Sequence, residues 1–184
     1  MKGFIERLNL GTSSRLLKTI PIWPKEWSVS FKIKPNQDKH YQWSSVLHFT
    51  TENSRSPVGS RIPAVWFRPF SHRLYIVSHV NDKENKYTSR VLPTNRFTKV
   101  EISQRKRSNG KYIYQIKING HRVRSTVNRI PRELKNVQIY APDHWSRSSL
   151  AQLQNFKYVG YSDGDLLPTN PPAKNIIQSK STFH

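Results

Sequence analysis

Residues 111–126, KYIYQIKINGHRVRST, read as a β-hairpin. Tyr112, Tyr114, Ile116 and Ile118 alternate with Ile113, Gln115 and Lys117, and a period of two is what a pleated strand with one buried face requires. Asn119-Gly120 follows. Both residues tolerate the positive φ that a type I′ turn needs at its two central positions. The return strand, His121 to Thr126, sets Val123 on one face and Arg122 and Arg124 on the other. One short piece thus implies the element type, an aromatic and aliphatic buried face, and a basic exposed face.

The same period recurs outward from the hairpin. In WSVSFKIK, Trp27, Val29, Phe31 and Ile33 face one way and Ser28, Ser30, Lys32 and Lys34 the other, the pattern of an antiparallel strand with one wet face. Pro35 to Asp38 breaks it. Ser44 to Thr51 and Ile62 to Arg68 are apolar on both faces, which suits central strands. Further strands are expected at Arg73 to His79, Phe97 to Gln104, Val137 to Tyr140 and Leu150 to Val159, with a first edge strand at Phe4 to Leu10. Pro21 and Pro24 exclude regular helix around Ile22-Trp23. Asn81 to Thr88 reads as a polar loop, and Asn128 to Leu134, which holds Pro131, as a single helical turn. No segment keeps a helical period, and strands return at roughly sandwich or jelly-roll spacing. The expectation is an all-β, two-sheet antiparallel jelly-roll sandwich over residues 1–160. Beyond Gly160, Pro168, Pro171, Pro172 and a Ser/Lys/Asn-rich end read as a flexible C-terminal tail, 161–184.

Charge narrows the partners. Among 184 residues, 31 are Lys or Arg and 11 are Asp or Glu, a formal net charge of +20. Such an excess repels itself unless an anion is near. Nucleic acid, sulfated or carboxylated polysaccharide, anionic lipid and acidic protein all qualify, beside the reading that the charge only keeps the chain soluble. Cysteine is absent, which rules out disulfides and thiolate metal sites. The opening MKGFIERLNLGTSS lacks the apolar core of a signal peptide. No run is long and apolar enough to span a membrane as a helix.

The basic residues cluster along the chain. Arg105, Lys106, Arg107 and Lys111 flank the turn before the hairpin; Arg122 and Arg124 lie on its second strand; Arg129, Arg132 and Lys135 follow. Lys99 and Lys117 can join them, since alternate residues of neighbouring strands line up on one face. Two readings are open: one anion-binding surface, where guanidinium forks grip planar oxyanions, or a solvated basic face. Trp145, in the loop after Pro142-Asp143-His144, can stack on a sugar ring or plug the end of a sandwich. Trp43, beside Tyr41 and His40, has the same two readings, and Trp66 is expected in the core. Glu101 and Glu133 stand alone, whereas glycoside hydrolysis needs two carboxyl groups across the bond. No histidine pair has metal-ligand spacing, and no G-x-S-x-G elbow is present. The reading is non-enzymatic. No recognition helix, RNP strand or zinc motif marks a nucleic-acid binder.

From Trp27 to Tyr158, the segments WSVSFKIKP, SSVLHFTT, RIPAVWF, FTKVEISQ, YIYQIKINGHRV, NVQIYAPDHW and LAQLQNFKY together resemble the laminin G-like, or concanavalin A-like, jelly-roll domains. The resemblance implies two face-to-face sheets of six or seven strands. It also implies an extracellular module of a longer chain that binds carbohydrate, sulfated glycan, protein or calcium. For calcium, the only cofactor it leaves open, the implied ligands are Asn81, Asp82 and Asp143. A +20 field opposes a dication, and Asn and Asp also favour turns. The combined expectation is a non-enzymatic extracellular module for an acidic polysaccharide or other polyanionic matrix component, heparin-like glycans included. Its site would draw on Lys99, Arg105, Lys106, Arg107, Lys111, Lys117, Arg122, Arg124, Arg129, Arg132 and Trp145. The alternatives are a protein-adhesion or matrix-scaffold domain and a nucleic-acid-binding protein.

Overall fold

Alternating apolar residues demand a second apolar sheet to cover them, and the chain supplies one. The computed structural model describes residues 2–10, 13–36, 41–51, 58–143, 147–148 and 150–161, with the side chains of residues 4, 6–8, 147 and 148 left aside. The described residues form strands and no helix: β1 (Lys2–Leu10), β2 (Leu16–Trp23), β3 (Glu26–Pro35), β4 (Ser44–Thr50), β5 (Ala64–Phe67), β6 (Arg73–Val80), β7 (Lys83–Val91), β8 (Thr98–Lys106), β9 (Tyr112–Ile118), β10 (His121–Asn128), β11 (Leu134–Tyr140), β12 (Arg147–Ser148) and β13 (Ala151–Tyr161).

One sheet has six strands in the order β1-β13-β3-β8-β9-β10. The other has seven, β2-β11-β4-β5-β6-β7 with the short β12 paired to β4. The last strand returns to lie between the first and third. This is the expected two-sheet jelly-roll sandwich. The tail, 161–184, falls outside the described residues from position 162 on.

The inner faces meet in an aromatic core. Trp23, Phe31, Phe49, Tyr114 and Phe156 are fully buried. Trp23 packs on Phe49 with ring centroids 5.1 Å apart and on Trp27 at 5.7 Å. Each such side chain contributes roughly 1.5–3 kcal/mol by leaving water. The hairpin turn is as expected, with φ of 50° at Asn119 and 83° at Gly120.

Polar bonds join the two sheets along one side. The Tyr114 hydroxyl on β9 donates to Ser78 Oγ on β6 at 2.9 Å, inside the sandwich. Burial, opposed in part by that bond and by Arg124, pushes the Tyr114 phenol up from its ordinary range. A phenol with a raised folded value stabilises the fold fully below the unfolded value near 10, and that stabilisation is lost as pH climbs above it. Tyr114→Phe should therefore cost about 1 kcal/mol near neutral pH. Between about pH 9 and 11 the wild type should lose about 1.4 kcal/mol more than the variant. Urea midpoints at the two pH values measure both.

Three local expectations are corrected, and one strand is added. Residues 83–91 form strand β7 and not a loop. This is an edge strand of polar sequence, whose inward set is Asn85, Tyr87 and Ser89, so no apolar alternation announces it. Leu16–Trp23, where Pro21 was expected to exclude helix, is a strand, one not assigned from the sequence. It too lies at an edge, where a missing N–H is tolerated. Residues 129–133 hold no helical turn and lead directly into β11. Finally, a β-bulge between Arg122 and Arg124 pairs Arg122 with Lys117 but Arg124 with Ile116. The two arginines, expected on one face, are on opposite faces.

Candidate functional site

The outer face of the seven-stranded sheet is apolar where such a face is usually wet. In β5, Val65 and Phe67 join the main core, while Ala64 and Trp66 turn outward and pack with Val77 and Tyr75 of β6. Trp66, expected in the core, is buried on this separate outer cluster. A bulge in β4 between Ser45 and Leu47 sends both Val46 and Leu47 inward and leaves His48 opposite Ala64 on the outer face.

A buried polar network fixes these groups. Trp66 Nε1–H donates to Asp143 Oδ2 at 3.1 Å, and His48 Nδ1 lies 3.1 Å from the same oxygen. His48 Nε2 is 2.5 Å from the Ser60 carbonyl oxygen. The Asp143 amide donates to Ser45 Oγ at 2.9 Å. His48 thus stands as a strut between Asp143 and the Ser60 backbone, with neither nitrogen placed to take a proton from a substrate.

Beside this anchored floor the surface opens. Trp43, just before β4, is 41% exposed and packs on Tyr75 with ring centroids 5.0 Å apart. The Arg68 guanidinium sits 6.0 Å from the Trp43 ring, and that of Arg61 5.8 Å from Trp66. Tyr41 and Phe70 meet edge to face at 6.1 Å, both largely exposed. Glu84 is held by Arg61 and, at 2.7 Å, by Lys86. The result is a stacking surface bordered by guanidinium groups.

The basic residues singled out in the sequence do not meet on one surface. Lys99, Lys117 and Arg122 share the outer face of the six-stranded sheet by strand register. Arg105 lies on it too, bonded to Glu26 at 3.0 Å and stacked 3.6 Å over Tyr161. Lys106, Arg107 and Lys111 ring the β8–β9 turn at the end of that sheet. Arg124 points across the sandwich edge to Asn85 of β7, 3.2 Å away. Arg129 and Arg132 follow β10, and Arg132 grips Asp82 through two bonds of 3.0 and 2.6 Å. Trp145 lies outside the described residues. The expected single patch is therefore three groups, separated by the bulge in β10 and by the length of the strands.

The three residues of the calcium set fall in two separate hydrogen-bonded settings. Asn81 and Asp82, with φ of 57° and 55°, are the central residues of the β6–β7 hairpin turn. Asn81 Nδ2 donates to the Val127 carbonyl, and its Oδ1 accepts from the Arg129 amide. Arg132 beside Asp82 holds that carboxyl below its usual range. Asp143 belongs to the Trp66–His48 network. Each of the three side chains already has partners, and no group of three or more metal-ligating side chains occurs among the described residues. Glu101 pairs with Lys99 at 3.2 Å on the outer face of the six-stranded sheet, and Glu133 is exposed before β11. They do not face one another.

Arg61, Arg68 and Tyr75 went unread in the sequence. The available signal was Trp66-x-Arg68 at strand spacing, obscured because both faces of β5 are apolar.

Fold and surface together define a class: a two-sheet jelly-roll sandwich, consistent with a concanavalin A-like fold, whose longer sheet carries an aromatic outer face. Solved structures then show what it is similar to. A heptameric SAP-like pentraxin from Limulus polyphemus shares the fold at TM-score 0.56 and 11% identity, over 85% of this chain and 77% of that one. The ligand binding domain of botulinum neurotoxin serotype D, solved with N-acetylneuraminic acid, does so at TM-score 0.58 and 16% identity, over 85% of this chain. This chain spans only 39% of that one. An endo-β-1,4-glucuronan lyase from the fungus Trichoderma reesei matches at TM-score 0.53 and 11% identity, over 85% and 79%. At such identities the likeness is one of fold. No protein-family model and no curated protein matches the sequence.

Proposed function

We propose that this chain is a non-enzymatic binding module for an acidic polysaccharide, held on the outer face of the seven-stranded sheet. The observation that carries the proposal is Trp43, exposed, backed by Tyr75 and bordered by Arg68. A sugar ring stacks on the indole, and a ring carboxylate is taken by guanidinium, whose planar fork suits it. The floor is rigid because Trp66 is tied to buried Asp143, and rigid aromatic surface lowers the entropy cost of binding. The non-enzymatic part rests on two observations. His48 has both nitrogens engaged, and on this face Glu84 lies between two cations while Asp143 is buried. The similar toxin domain solved with N-acetylneuraminic acid supports a carboxylated sugar as the kind of ligand. The laminin G resemblance adds an extracellular setting.

A second reading, single-stranded nucleic acid, is favoured by the same combination of exposed aromatics and arginines. Retention on immobilised polyuronate, on an uncharged β-glucan and on single-stranded DNA separates the two. The expected result is polyuronate retention that falls, without vanishing, as salt rises, because stacking survives screening. Retention on DNA above that on polyuronate of equal charge density overturns the glycan reading in favour of the second.

A further inference from the structure

The opposite side of the molecule carries a different cationic arrangement. On the outer face of the six-stranded sheet, a hollow of about 290 Å³ is lined by Lys32 of β3, Lys99 of β8 and Lys157 of β13, with Ser30, Phe31 and Asn155. These strands are neighbours in the middle of the sheet. Lys32 and Lys99 are direct register partners, and Lys157 is opposite Ser30. Asn155 is the extra residue of a bulge in β13, with φ 50°, and that bulge displaces the strand beside the hollow.

Like charges directly opposite one another on adjacent strands are destabilising. The Lys32–Lys99 pair is therefore a cost built into the centre of the sheet. Glu101, 3.2 Å from Lys99 Nζ, offsets part of it. Among the described side chains no carboxylate lines the hollow, and the one ion pair made by its three lysines is that of Lys99 with Glu101. An anion seated among the three ammonium groups would remove the repulsion. Lysines act as point charges with three rotatable donors each, in contrast to the planar forks on the other sheet. Three of them around one hollow suit a tetrahedral oxyanion better than a planar carboxylate. Among the described residues that line the hollow, the aromatic one, Phe31, is buried and offers no ring face to a base.

We infer that Lys32, Lys99 and Lys157 form a second binding site, which takes the sulfate ester of a sulfated polysaccharide. It stands independently of the Trp43 surface, so the two sides of the sandwich read two anion chemistries.

Inorganic sulfate is the first probe. At about 10 mM, too dilute for general salting-out stabilisation, sulfate should raise the melting temperature of the wild type above that in chloride of equal ionic strength. A Lys32→Thr/Lys99→Thr double variant should melt no lower than wild type in chloride and show no sulfate increment. The second probe is a sulfated glycan beside a polyuronate. The double variant should bind the former at least 10-fold more weakly and the latter unchanged. Lys157→Thr, which leaves the opposed pair in place, should also weaken sulfated-glycan binding. An equal sulfate increment in wild type and double variant overturns the site. So does an equal loss for polyuronate and sulfated glycan, which would mean bulk charge alone, or displacement of the glycan by single-stranded DNA at lower concentration. Failure of polyuronate binding with the sulfate increment intact would refute the Trp43 reading and leave this one standing.

Discussion

Replacing Asp143 with alanine is expected to lower the unfolding free energy by about 3–6 kcal/mol, because it removes the carboxylate acceptor shared by two buried ring groups, at about 1.5–3 kcal/mol each. The carboxylate accepts from Trp66 Nε1 and faces His48 Nδ1, and the His48 and Asp143 side chains are 1% and 0% exposed. Alanine would leave an imidazole N–H and an indole N–H without their acceptor inside the protein. For a chain of this size the loss corresponds to about 6–24 °C in melting temperature. Asp143→Asn keeps an oxygen for Trp66 and should fall less. Trp66→Phe removes one hydrogen bond to a charged group, a loss of about 1.5–3 kcal/mol. Thermal melts of the three variants should therefore rank Asp143→Ala lowest. An Asp143→Ala protein as stable as wild type would mean that the network holds nothing in place.

Trp43→Ala should act in the opposite sense, on binding and hardly at all on stability. The side chain is 41% exposed and outside the main core, so its removal leaves no internal cavity. Exposed, anchored tryptophans are the usual hot spots of binding surfaces, at about 2 kcal/mol or more when truncated. That is a loss of about 30-fold or more in affinity, measured by titrating the acidic glycan at fixed salt. The loss should persist at high salt, since it removes stacking. The effect of Arg68→Gln should shrink as salt rises, since it removes charge. Unaltered affinity in Trp43→Ala would sink the proposed surface.

The two substitutions also show which parts of the site were legible in the sequence. Trp43 was readable as a ring that stacks or plugs, because it stands in a polar stretch beside Tyr41. Asp143 read as a turn residue or a cation ligand, since nothing local reveals that its carboxylate reaches β4 and β5. The residues it holds, His48 and Trp66, are separated from it by 95 and 77 positions. The basic residues were all visible, but their grouping was not. One extra residue at Val123 put Arg122 and Arg124 on opposite faces, and no pattern in HRVRST announces a bulge.

Period-two alternation and an Asn-Gly turn were enough to establish strands, the inward set of Tyr114, Ile116, Phe31 and Ile33, and two packed sheets, because strand geometry ties every second residue to one face. Which cations become neighbours was settled only when β13 lay down between β1 and β3. That pairing brings Lys157 beside Lys32 and Lys99. Such proximity arises from hydrogen bonding between strands far apart in the chain, and local patterning has no access to it.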